Sequence, residues 1–331
     1  MPPADPVSAQ DRRWLAACAA LAIRARPLSA PNPGVAALIV KDGVVLGRGW
    51  TAPGGRPHAE AQALAAAGGM AEGATLYLTL EPCAHRSLRG PACADLVAAA
   101  SLARVVIGWQ DPDPRTDGTG AEALRAAGID VVLASDPACR DSLKGFITRQ
   151  ELGRPHVTLK LAVSADGFIG PLSGEPVAIT GPVARAHVHR QRALSEAILV
   201  GSGTLRADKP RLDVRLPGLE QLSPARFVLT RGPAPAGWTP VSSPQAIAAL
   251  LPMQYLYVEG GAATAHAFLA AGLVDELHIY RASGMLGSGI AAYGPLGPAA
   301  GGAPPPGFTL SGRRQLGDDV LLVYHPAAKG I

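Results

Sequence analysis

The chain has 331 residues, of which 48% are hydrophobic and 17% are charged, and its formal net charge at pH 7 is +4. This composition excludes a largely disordered protein, and the length favours two domains over one. A membrane span needs about 18 or more uncharged apolar residues, and no run approaches that length. No signal-peptide pattern or block of Lys and Arg is present, so neither secretion nor a nucleic-acid partner is indicated. The four cysteines do not suggest a disulfide framework, and a reducing cytoplasm fits them best.

The first half of the chain alternates predicted helices and strands. Ser8 can cap the first helix, Pro27 ends it, and Asp42-Gly43 suits the tight turn of a hairpin. The predicted elements are helix 11–25, strands 35–40 and 44–49, a helix from 58 to about 68, strand 75–80, helix 92–100, strand 104–109, helix 121–127, strand 129–133 and helix 137–150. This alternation predicts an α/β layered domain over residues 1–150.

A His-x-Glu motif, followed by a strand and then Pro-Cys, carries the clearest chemistry in this half. His58, Cys83 and Cys93 offer one imidazole and two thiolates, which suit Zn²⁺ and leave a fourth position for water. Zinc lowers the pKa of such a water toward 7. Glu60 is then the proton carrier rather than a ligand, and the order of motifs is the zinc deaminase signature. The ordinary signature is Pro-Cys-x-x-Cys, whereas nine residues separate the two cysteines here.

Three other interpretations of this region compete with a catalytic zinc site. A closed structural zinc site needs a fourth protein ligand, and His85 is the candidate, although it lies very close to Cys83 in the chain. A deaminase of nucleic acids or free nucleosides would favour a basic or aromatic-lined groove, and only 5% of the residues are aromatic. A zinc-stabilised scaffold without activity would leave Glu60 without a function.

A second α/β pattern follows Gly153-Arg154-Pro155, which resembles a linker, and it predicts a second domain over residues 151–331. The predicted elements are strand 156–163, helix 182–194, strands 197–200, 227–229 and 255–258, helix 266–271, and strands 276–280 and 320–324. Glycines at 260 and 261, between a strand and a helix, would let backbone N–H groups approach a phosphate closely. The alternative is an ordinary tight turn. The run is not Gly-x-Gly-x-x-Gly, so a Rossmann domain is not indicated.

Further motifs lie around these features in both halves. They are Pro31-Asn32-Pro33, Glu81-Pro82-Cys83-Ala84-His85, Gly90-Pro91-Ala92-Cys93, Asp111-Pro112, Ser164-Ala165-Asp166-Gly167, Thr204-Leu205-Arg206-Ala207-Asp208 and Val258-Glu259-Gly260-Gly261. Together they resemble the family of bifunctional riboflavin-biosynthesis enzymes that join a diaminohydroxyphosphoribosylaminopyrimidine deaminase to a 5-amino-6-(5-phosphoribosylamino)uracil reductase. The long loop between the two cysteines is characteristic of that family. The resemblance implies an α/β fold class, with a cytidine-deaminase-like three-layer N-terminal domain and a dihydrofolate-reductase-like C-terminal domain that uses NADPH.

The resemblance also implies a reaction and a deaminase site. The reaction is zinc-dependent hydrolytic deamination of 2,5-diamino-6-(5-phosphoribosylamino)pyrimidin-4-one, followed by reduction of the ribose to a ribityl group by NADPH. The implied zinc ligands and proton carrier are the residues already identified, and Asn32 is similar to a position that contacts substrate. Arg86 or Arg89 can meet the ribose phosphate, because a guanidinium suits phosphate. A solvated loop is the alternative for these arginines.

For the second half the resemblance implies two sets of contacts. The positions similar to cofactor contacts are Ala162, Ala178, Thr204, Asp208, Gly261, Ala262, Ala263 and Thr264. The positions similar to substrate contacts are Pro176, Arg192, Leu212, Arg215 and Glu259. Arg192 and Arg215 are the best candidates for binding phosphate, with structural ion pairing as the alternative. Lys160 on the first strand is also expected to face the site.

Departures from the family pattern lie mainly in the second half. Residues 176–180 read Pro-Val-Ala-Ile-Thr where the family often has Ser-Gln-Trp-Ile-Thr, so a hydroxyl and an indole are lost. These departures keep one alternative open, a monofunctional deaminase whose second half is a degenerate reductase-like binding module. In either case the expected partner is a small phosphoribosylated pyrimidine, without nucleic acid or membrane. The sequence leaves a homo-oligomer open.

Overall fold

A computed structural model of the chain describes residues 7–85, 90–173, 175 and 177–327. Its contacts divide the chain into two compact units, Met1–Gly153 and Arg154–Ile331. The division falls inside the segment that the sequence suggested as a linker. In the part of the chain that the structure describes, no helix has the length and apolar character needed to cross a bilayer.

The first unit is built on one mixed sheet. Its described elements are α1 (Ala9–Ala22), β1 (Ala36–Lys41), β2 (Val44–Trp50), α2 (Ala59–Ala67), β3 (Thr75–Leu78), α3 (Cys93–Ala98), β4 (Arg104–Ile107), α4 (Thr119–Ala126), β5 (Asp130–Leu133), α5 (Pro137–Ser142) and α6 (Lys144–Leu152). The strand order is β2-β1-β3-β4-β5. Strand β1 runs antiparallel to β2 and β3, whereas β3, β4 and β5 are parallel.

Helices cover both faces of this sheet because successive side chains of a strand point to opposite faces. Ile39 of β1 belongs to one core together with Ala63 of α2. Its neighbour Leu38 belongs to a second core with Leu15 of α1. The result is the three-layer arrangement that the sequence predicted.

In the first unit, local sequence signals predicted one helix cap correctly and one helix incorrectly. The predicted cap is confirmed, since Ser8 and Asp11 form a reciprocal capping box at the start of α1. The predicted helix 137–150 is wrong, because the chain forms α5 and α6 with a break at Leu143 (φ −104°, ψ 3°). Gly145, two residues after the break, was the local signal for it, since glycine has a low helix propensity.

The second unit contains a larger sheet. Its described elements are β6 (His156–Val163), α7 (Pro182–Ala193), β7 (Ala197–Gly201), α8 (Ser202–Asp208), β8 (Ala225–Leu229), β9 (Thr239–Val241), β10 (Tyr255–Glu259), α9 (Ala262–Ala270), β11 (Glu276–Arg281), β12 (Phe308–Leu316) and β13 (Asp319–Pro326). The strand order is β12-β13-β11-β6-β10-β7-β8-β9. Strands β11 to β9 in that order are parallel, and β13 and β12 add an antiparallel edge.

The two faces of this sheet also carry separate cores. Leu159 of β6 and Phe268 of α9 lie in one core. Tyr257 of β10 and Val188 of α7 lie in the other. The sequence did not predict α8, β9 or β12. Strand β12 is mostly exposed and α8 contains Gly203, so neither shows a clear apolar period.

Candidate active sites

Three elements of the first unit bring one imidazole and two thiols together. His58 is the N-cap of α2, Cys93 is the first residue of α3, and Cys83 lies in the segment after β3. The Nδ1 atom of His58 is 3.2 Å from Sγ of Cys93 and 3.7 Å from Sγ of Cys83. One ligand atom from each of the three residues lies within 4.8 Å of the others.

These distances fit a tetrahedral zinc ion. Zn–S bonds of about 2.3 Å and Zn–N bonds of about 2.0 Å place a nitrogen and a sulfur ligand about 3.5 Å apart. Hydrogen bonds from Cys93 and His58 lower the pKa of the Cys83 thiol below its ordinary value, against the effect of burial. Among the described residues the metal-ligand group does not include His85, which leaves room for a non-protein ligand.

Glu60 lies beside this cluster. It lies in the first turn of α2, is 3% exposed, and lines the same cavity as His58 and Cys83. Burial raises the pKa of Glu60 above its ordinary value, and the charge of His58 opposes that shift. A carboxyl group in this position can carry a proton between water and a bound molecule.

The cavity around the cluster has a volume of about 260 Å³ and lies at the carboxyl ends of β3 and β4. Asn32, which the resemblance gives as a substrate contact, lines the cavity. Three arginines that the sequence analysis missed also line it: Arg56, Arg115 and Arg149. Arg86 and Arg89 lie outside the described residues. Arg56 is two residues before His58, and Arg115 is three residues after Pro112, so closeness to these motifs was the local signal for the two arginines.

The sequence analysis also missed the structural role of Glu81. Its Oε2 atom accepts hydrogen bonds from the N–H groups of Asp111 (3.2 Å) and Gly118 (3.0 Å), and its Oε1 accepts one from Ala121 (2.9 Å). This buried carboxylate therefore ties the segment after β4 and the start of α4 to the Cys83 segment. It also places Asp111 in the cavity, where burial raises the pKa of Asp111 to about 7.

The second unit has its own cavity of about 540 Å³. It lies at the carboxyl ends of the parallel strands β6, β7 and β10, where ligands bind in open α/β sheets. The predicted contact residues that line it are Ala162, Ala178, Arg192, Thr204, Asp208, Leu212, Arg215, Glu259 and Gly261. Ala262, Ala263 and Thr264 are not among the described lining residues, and Pro176 lies outside the described residues.

The glycine-rich run proves to be a helix start rather than a loop. Gly261 is the N-cap of α9, so residues 262–264 form the first turn of that helix. A Cβ atom on Gly261 would lie 3.1 Å from Oγ1 of Thr204 in α8, and one on Gly260 would lie 2.8 Å from Cβ of Thr264. Gly261 therefore allows the starts of α8 and α9 to approach each other beside the cavity, and Gly260 leaves room for the first turn of α9.

A buried ionic group occupies the floor of this cavity. Arg192 donates from Nε and Nη2 to the two carboxylate oxygens of Glu259, at 2.6 and 3.0 Å, and from Nη1 to the carbonyl of Asp213 at 3.0 Å. Lys160 Nζ lies 3.8 Å from Glu259. Burial lowers the pKa of Lys160, against the effect of Glu259. Burial alone would raise the pKa of Glu259, but Lys160 and Arg192 outweigh it and hold that pKa below its ordinary value.

Arg215 is in a different situation. Its side chain is 59% exposed and its nearest carboxylate oxygen, on Asp213, is 3.5 Å away. The ion pairing that the sequence left open is therefore present for both arginines: Arg192 forms a buried pair with Glu259, and Arg215 forms a longer, exposed pair with Asp213. Of the two arginines, Arg215 has the more accessible guanidinium.

Comparison with known proteins agrees with this division of the chain. Residues 8–109 match the family model of the cytidine and deoxycytidylate deaminase zinc-binding region. Residues 155–237 and 240–322 match the RibD C-terminal domain. The riboflavin biosynthesis protein RibD of Escherichia coli is 37% identical, with 95% of this chain and 98% of that protein covered. RibD of Haemophilus influenzae is 35% identical, with 98% and 99% covered.

Solved structures give the same result. The chain superimposes on Acinetobacter baumannii RibD with a TM-score of 0.83 and 32% identity, over 96% of this chain and 99% of that one. A Thermotoga maritima diaminohydroxyphosphoribosylaminopyrimidine deaminase/5-amino-6-(5-phosphoribosylamino)uracil reductase gives a TM-score of 0.82 at 28% identity, with the same coverage. These matches confirm the predicted fold class and favour two activities over a monofunctional deaminase. Because the similarity runs through both halves, the chain belongs to the RibD family: it is a bifunctional enzyme of riboflavin biosynthesis, with a zinc-binding deaminase domain and an NADPH-dependent reductase domain.

Proposed function

We propose that the first cavity deaminates 2,5-diamino-6-(5-phosphoribosylamino)pyrimidin-4-one and that the second cavity reduces the ribosyl group of the product. The observation that carries the proposal is the meeting of His58, Cys83 and Cys93 with Glu60 in one cavity. Three ligands and a separate carboxyl group form the arrangement of a catalytic zinc site with an open position. A structural site would have no use for Glu60.

In the proposed deamination His58, Cys83 and Cys93 hold the zinc. The metal, when bound, supplies the Lewis acidity that makes water a nucleophile near neutral pH. Glu60 takes a proton from the attacking water, whose oxygen bonds to the amine-bearing carbon, and delivers that proton to the ring nitrogen. It then takes the second proton from the hydroxyl group now on that carbon and passes it to the amine, so that the C–N bond breaks, ammonia leaves and a carbonyl group forms. Burial supports this role, because a carboxyl group shielded from bulk water exchanges its proton with the bound substrate.

The ribose phosphate of the substrate needs cations near the first cavity. Arg56 and Arg115 line the cavity, and Arg115 is oriented by Asp113, whose oxygens accept from its Nε atom at 2.9 and 3.2 Å. We therefore propose Arg56 and Arg115 as phosphate contacts, together with the predicted Arg86 or Arg89. Guanidinium groups suit this task because they present several N–H donors in one plane.

In the proposed reduction NADPH supplies the hydride that adds to the ring-opened ribose carbon. Gly261 and Thr204, at the starts of α9 and α8, provide backbone and hydroxyl groups for the cofactor. Lys160 lines the same cavity beside Glu259 and supplies the proton that completes the reduction. Arg215 binds the substrate phosphate, and its exposure in the free protein supports that assignment. Glu259 holds Lys160 and Arg192 in place.

One incubation tests both halves of the proposal. The zinc-loaded protein is supplied with the phosphoribosylated diaminopyrimidine, with and without NADPH, and the products are separated. We expect ammonia and the deaminated ribosyl compound without NADPH, and the ribityl compound with it. Absence of ammonia release would refute the deaminase assignment. Ammonia release without any NADPH oxidation would support the monofunctional alternative instead.

We also propose the cytoplasm as the location of the protein, and the homo-oligomer that the sequence left open stays a hypothesis. All four cysteines are buried free thiols, and oxidation of the two proposed zinc ligands would remove the site. Sedimentation of the purified protein gives its oligomeric state directly.

A further inference from the structure

The side-chain amide of Asn32 lies between a backbone carbonyl and the imidazole of His58. Its Nδ2 atom is 3.1 Å from the carbonyl oxygen of Gly55 and 3.2 Å from Nε2 of His58. The other ring nitrogen, Nδ1, faces the thiols of Cys83 and Cys93. We propose that Asn32 is a positioning residue for the proposed zinc site: it holds His58 through Nε2, so that Nδ1 points at the two thiols.

Gly55 makes this contact possible. A Cβ atom on Gly55 would lie 2.6 Å from Cγ and 2.9 Å from Nδ2 of Asn32, which is too close for any side chain there. Gly55 is buried and has a φ of +85°. The neighbouring Gly54 has a similar φ of +72°, but a Cβ atom on it would meet nothing within 4 Å. Of these two glycines, Gly55 is therefore the one that must lack a side chain for Asn32 to occupy its position.

An amide suits this task better than a group that can only donate or only accept a hydrogen bond. A neutral imidazole that uses the Nδ1 lone pair for a metal carries its proton on Nε2, which then needs an acceptor. Without the metal, Nε2 can be the acceptor and then needs a donor. The amide of Asn32 has both an oxygen and an NH₂ group, and a half-turn about the Cβ–Cγ bond exchanges them. With a metal on Nδ1, the Asn32 oxygen would accept from Nε2–H, and the hydrogen bond from Nδ2 to the Gly55 carbonyl would be given up, because two oxygens cannot bond each other. Without the metal, Nδ2 donates to both Nε2 and the Gly55 carbonyl. Residues that orient a metal-binding histidine in this way typically change metal affinity by about 10–100-fold.

The test measures zinc affinity in the full-length protein without substrate, by competition with a chelator. The variants are Asn32→Ala, Gly55→Ala and the matched control Gly54→Ala, which introduces the same methyl group at the same kind of backbone conformation. We expect Asn32→Ala and Gly55→Ala to weaken zinc binding by about 10–100-fold. Gly54→Ala should keep the wild-type affinity, because its methyl group does not reach Asn32.

Cobalt substitution adds a readout that a general loss of stability would not change. In Asn32→Ala and Gly55→Ala the thiolate-to-cobalt absorption should remain, since both cysteines are present. The visible d–d bands should shift, because the imidazole is no longer held in one orientation. The unfolding transition of each variant shows whether it is folded, and Asn32→Ala decides the matter if Gly55→Ala does not fold.

The outcomes separate this inference from the proposed function on which it rests. Wild-type zinc affinity and an unchanged cobalt spectrum in Asn32→Ala would overturn the positioning role and leave Asn32 as a substrate contact alone. Equal losses in Gly54→Ala and Gly55→Ala, with Asn32→Ala unaffected, would assign the effect to backbone strain and also overturn it. A wild-type protein that binds no zinc would instead remove the proposed deaminase site itself.

Discussion

At the scale of single residues, the zinc ligands and the proton carrier should separate on substitution. We expect Cys83→Ser to lose bound zinc and deamination together, because a hydroxyl group is a weak neutral ligand in place of a thiolate. Metal content per chain, measured by atomic absorption, checks this. Cys139→Ser is a suitable control, since Cys139 is buried but lies outside the metal-ligand group. Full zinc content in Cys83→Ser would show that the metal is bound elsewhere.

Glu60→Gln should give the opposite combination. Glutamine has the same shape but cannot take up and release a proton, and such transfer contributes about 10²–10⁴-fold to rates. We expect zinc content and the unfolding temperature to stay near those of the wild type while deamination falls by about that factor. Ammonia release and NADPH oxidation with pre-formed deaminated substrate are measured on the same sample. Deamination at the wild-type rate would place the proton carrier elsewhere.

Two arginines of the second cavity offer a matched pair. Arg192→Ala leaves Glu259 buried without its bidentate partner, and breaking a buried pair costs about 3–5 kcal/mol. Lys160 keeps part of the compensation, so we expect the lower end of that range. Arg215→Ala removes a side chain that is 59% exposed, so its stability should change by less than about 0.5 kcal/mol.

The kinetic effect of Arg215→Ala should be large even though its effect on stability is small. Loss of a charge-assisted contact to the substrate phosphate should raise the reductase KM sharply, since such contacts are roughly twice as strong as neutral ones. Equilibrium unfolding and steady-state kinetics of the two variants test the distinction. An unchanged KM in Arg215→Ala would show that another cation binds the substrate phosphate.

At the scale of elements, the close starts of α8 and α9 should bind the cofactor. Gly261→Val places a branched side chain against Thr204, whose Oγ1 would lie 3.1 Å from the added Cβ. We expect the Kd for NADPH to rise by at least about tenfold, measured by calorimetry, with deamination unchanged. Gly272→Ala is a control on the C-terminal side of α9, where an added Cβ meets nothing within 4 Å, although its φ of +64° makes some loss of stability expected.

The departure at residues 176–180 also belongs to this scale. The missing hydroxyl and indole groups would mainly supply one hydrogen bond and packing, and a net hydrogen bond is worth only about 0.5–1.5 kcal/mol. Cofactor affinity should therefore be weakened roughly tenfold rather than lost. Absence of any NADPH binding at millimolar concentration would favour a degenerate module.

At the scale of the whole molecule, each unit has its own sheet, cores and cavity. Removal of zinc by a chelator should therefore abolish deamination and leave the reduction of pre-formed deaminated substrate largely intact. Ammonia release and NADPH oxidation, followed in parallel before and after re-addition of zinc, check this. A proportional loss of both activities on chelation would show that the two units depend on one metal.

The sequence by itself determined the chemistry of the first site. An imidazole, two thiols and a carboxyl group are the side chains of a catalytic zinc site. The order of His58, Glu60, Cys83 and Cys93 along the chain was sufficient to predict a zinc deaminase. Strand periods and turn residues likewise predicted most of the elements. These signals are local, because they depend on residue type and on neighbours in the chain.

Tertiary structure alone decided which distant groups meet. The pair of Arg192 with Glu259 joins residues 67 positions apart, and the contact of Asn32 with His58 joins residues 26 apart. The three hydrogen bonds from backbone N–H groups to Glu81 likewise depend on the tertiary structure. Such contacts depend on how elements pack, and a buried polar group takes its partner from the elements around it. No local pattern records that partner, so the sequence could name the reacting groups but not the residues that hold them in position.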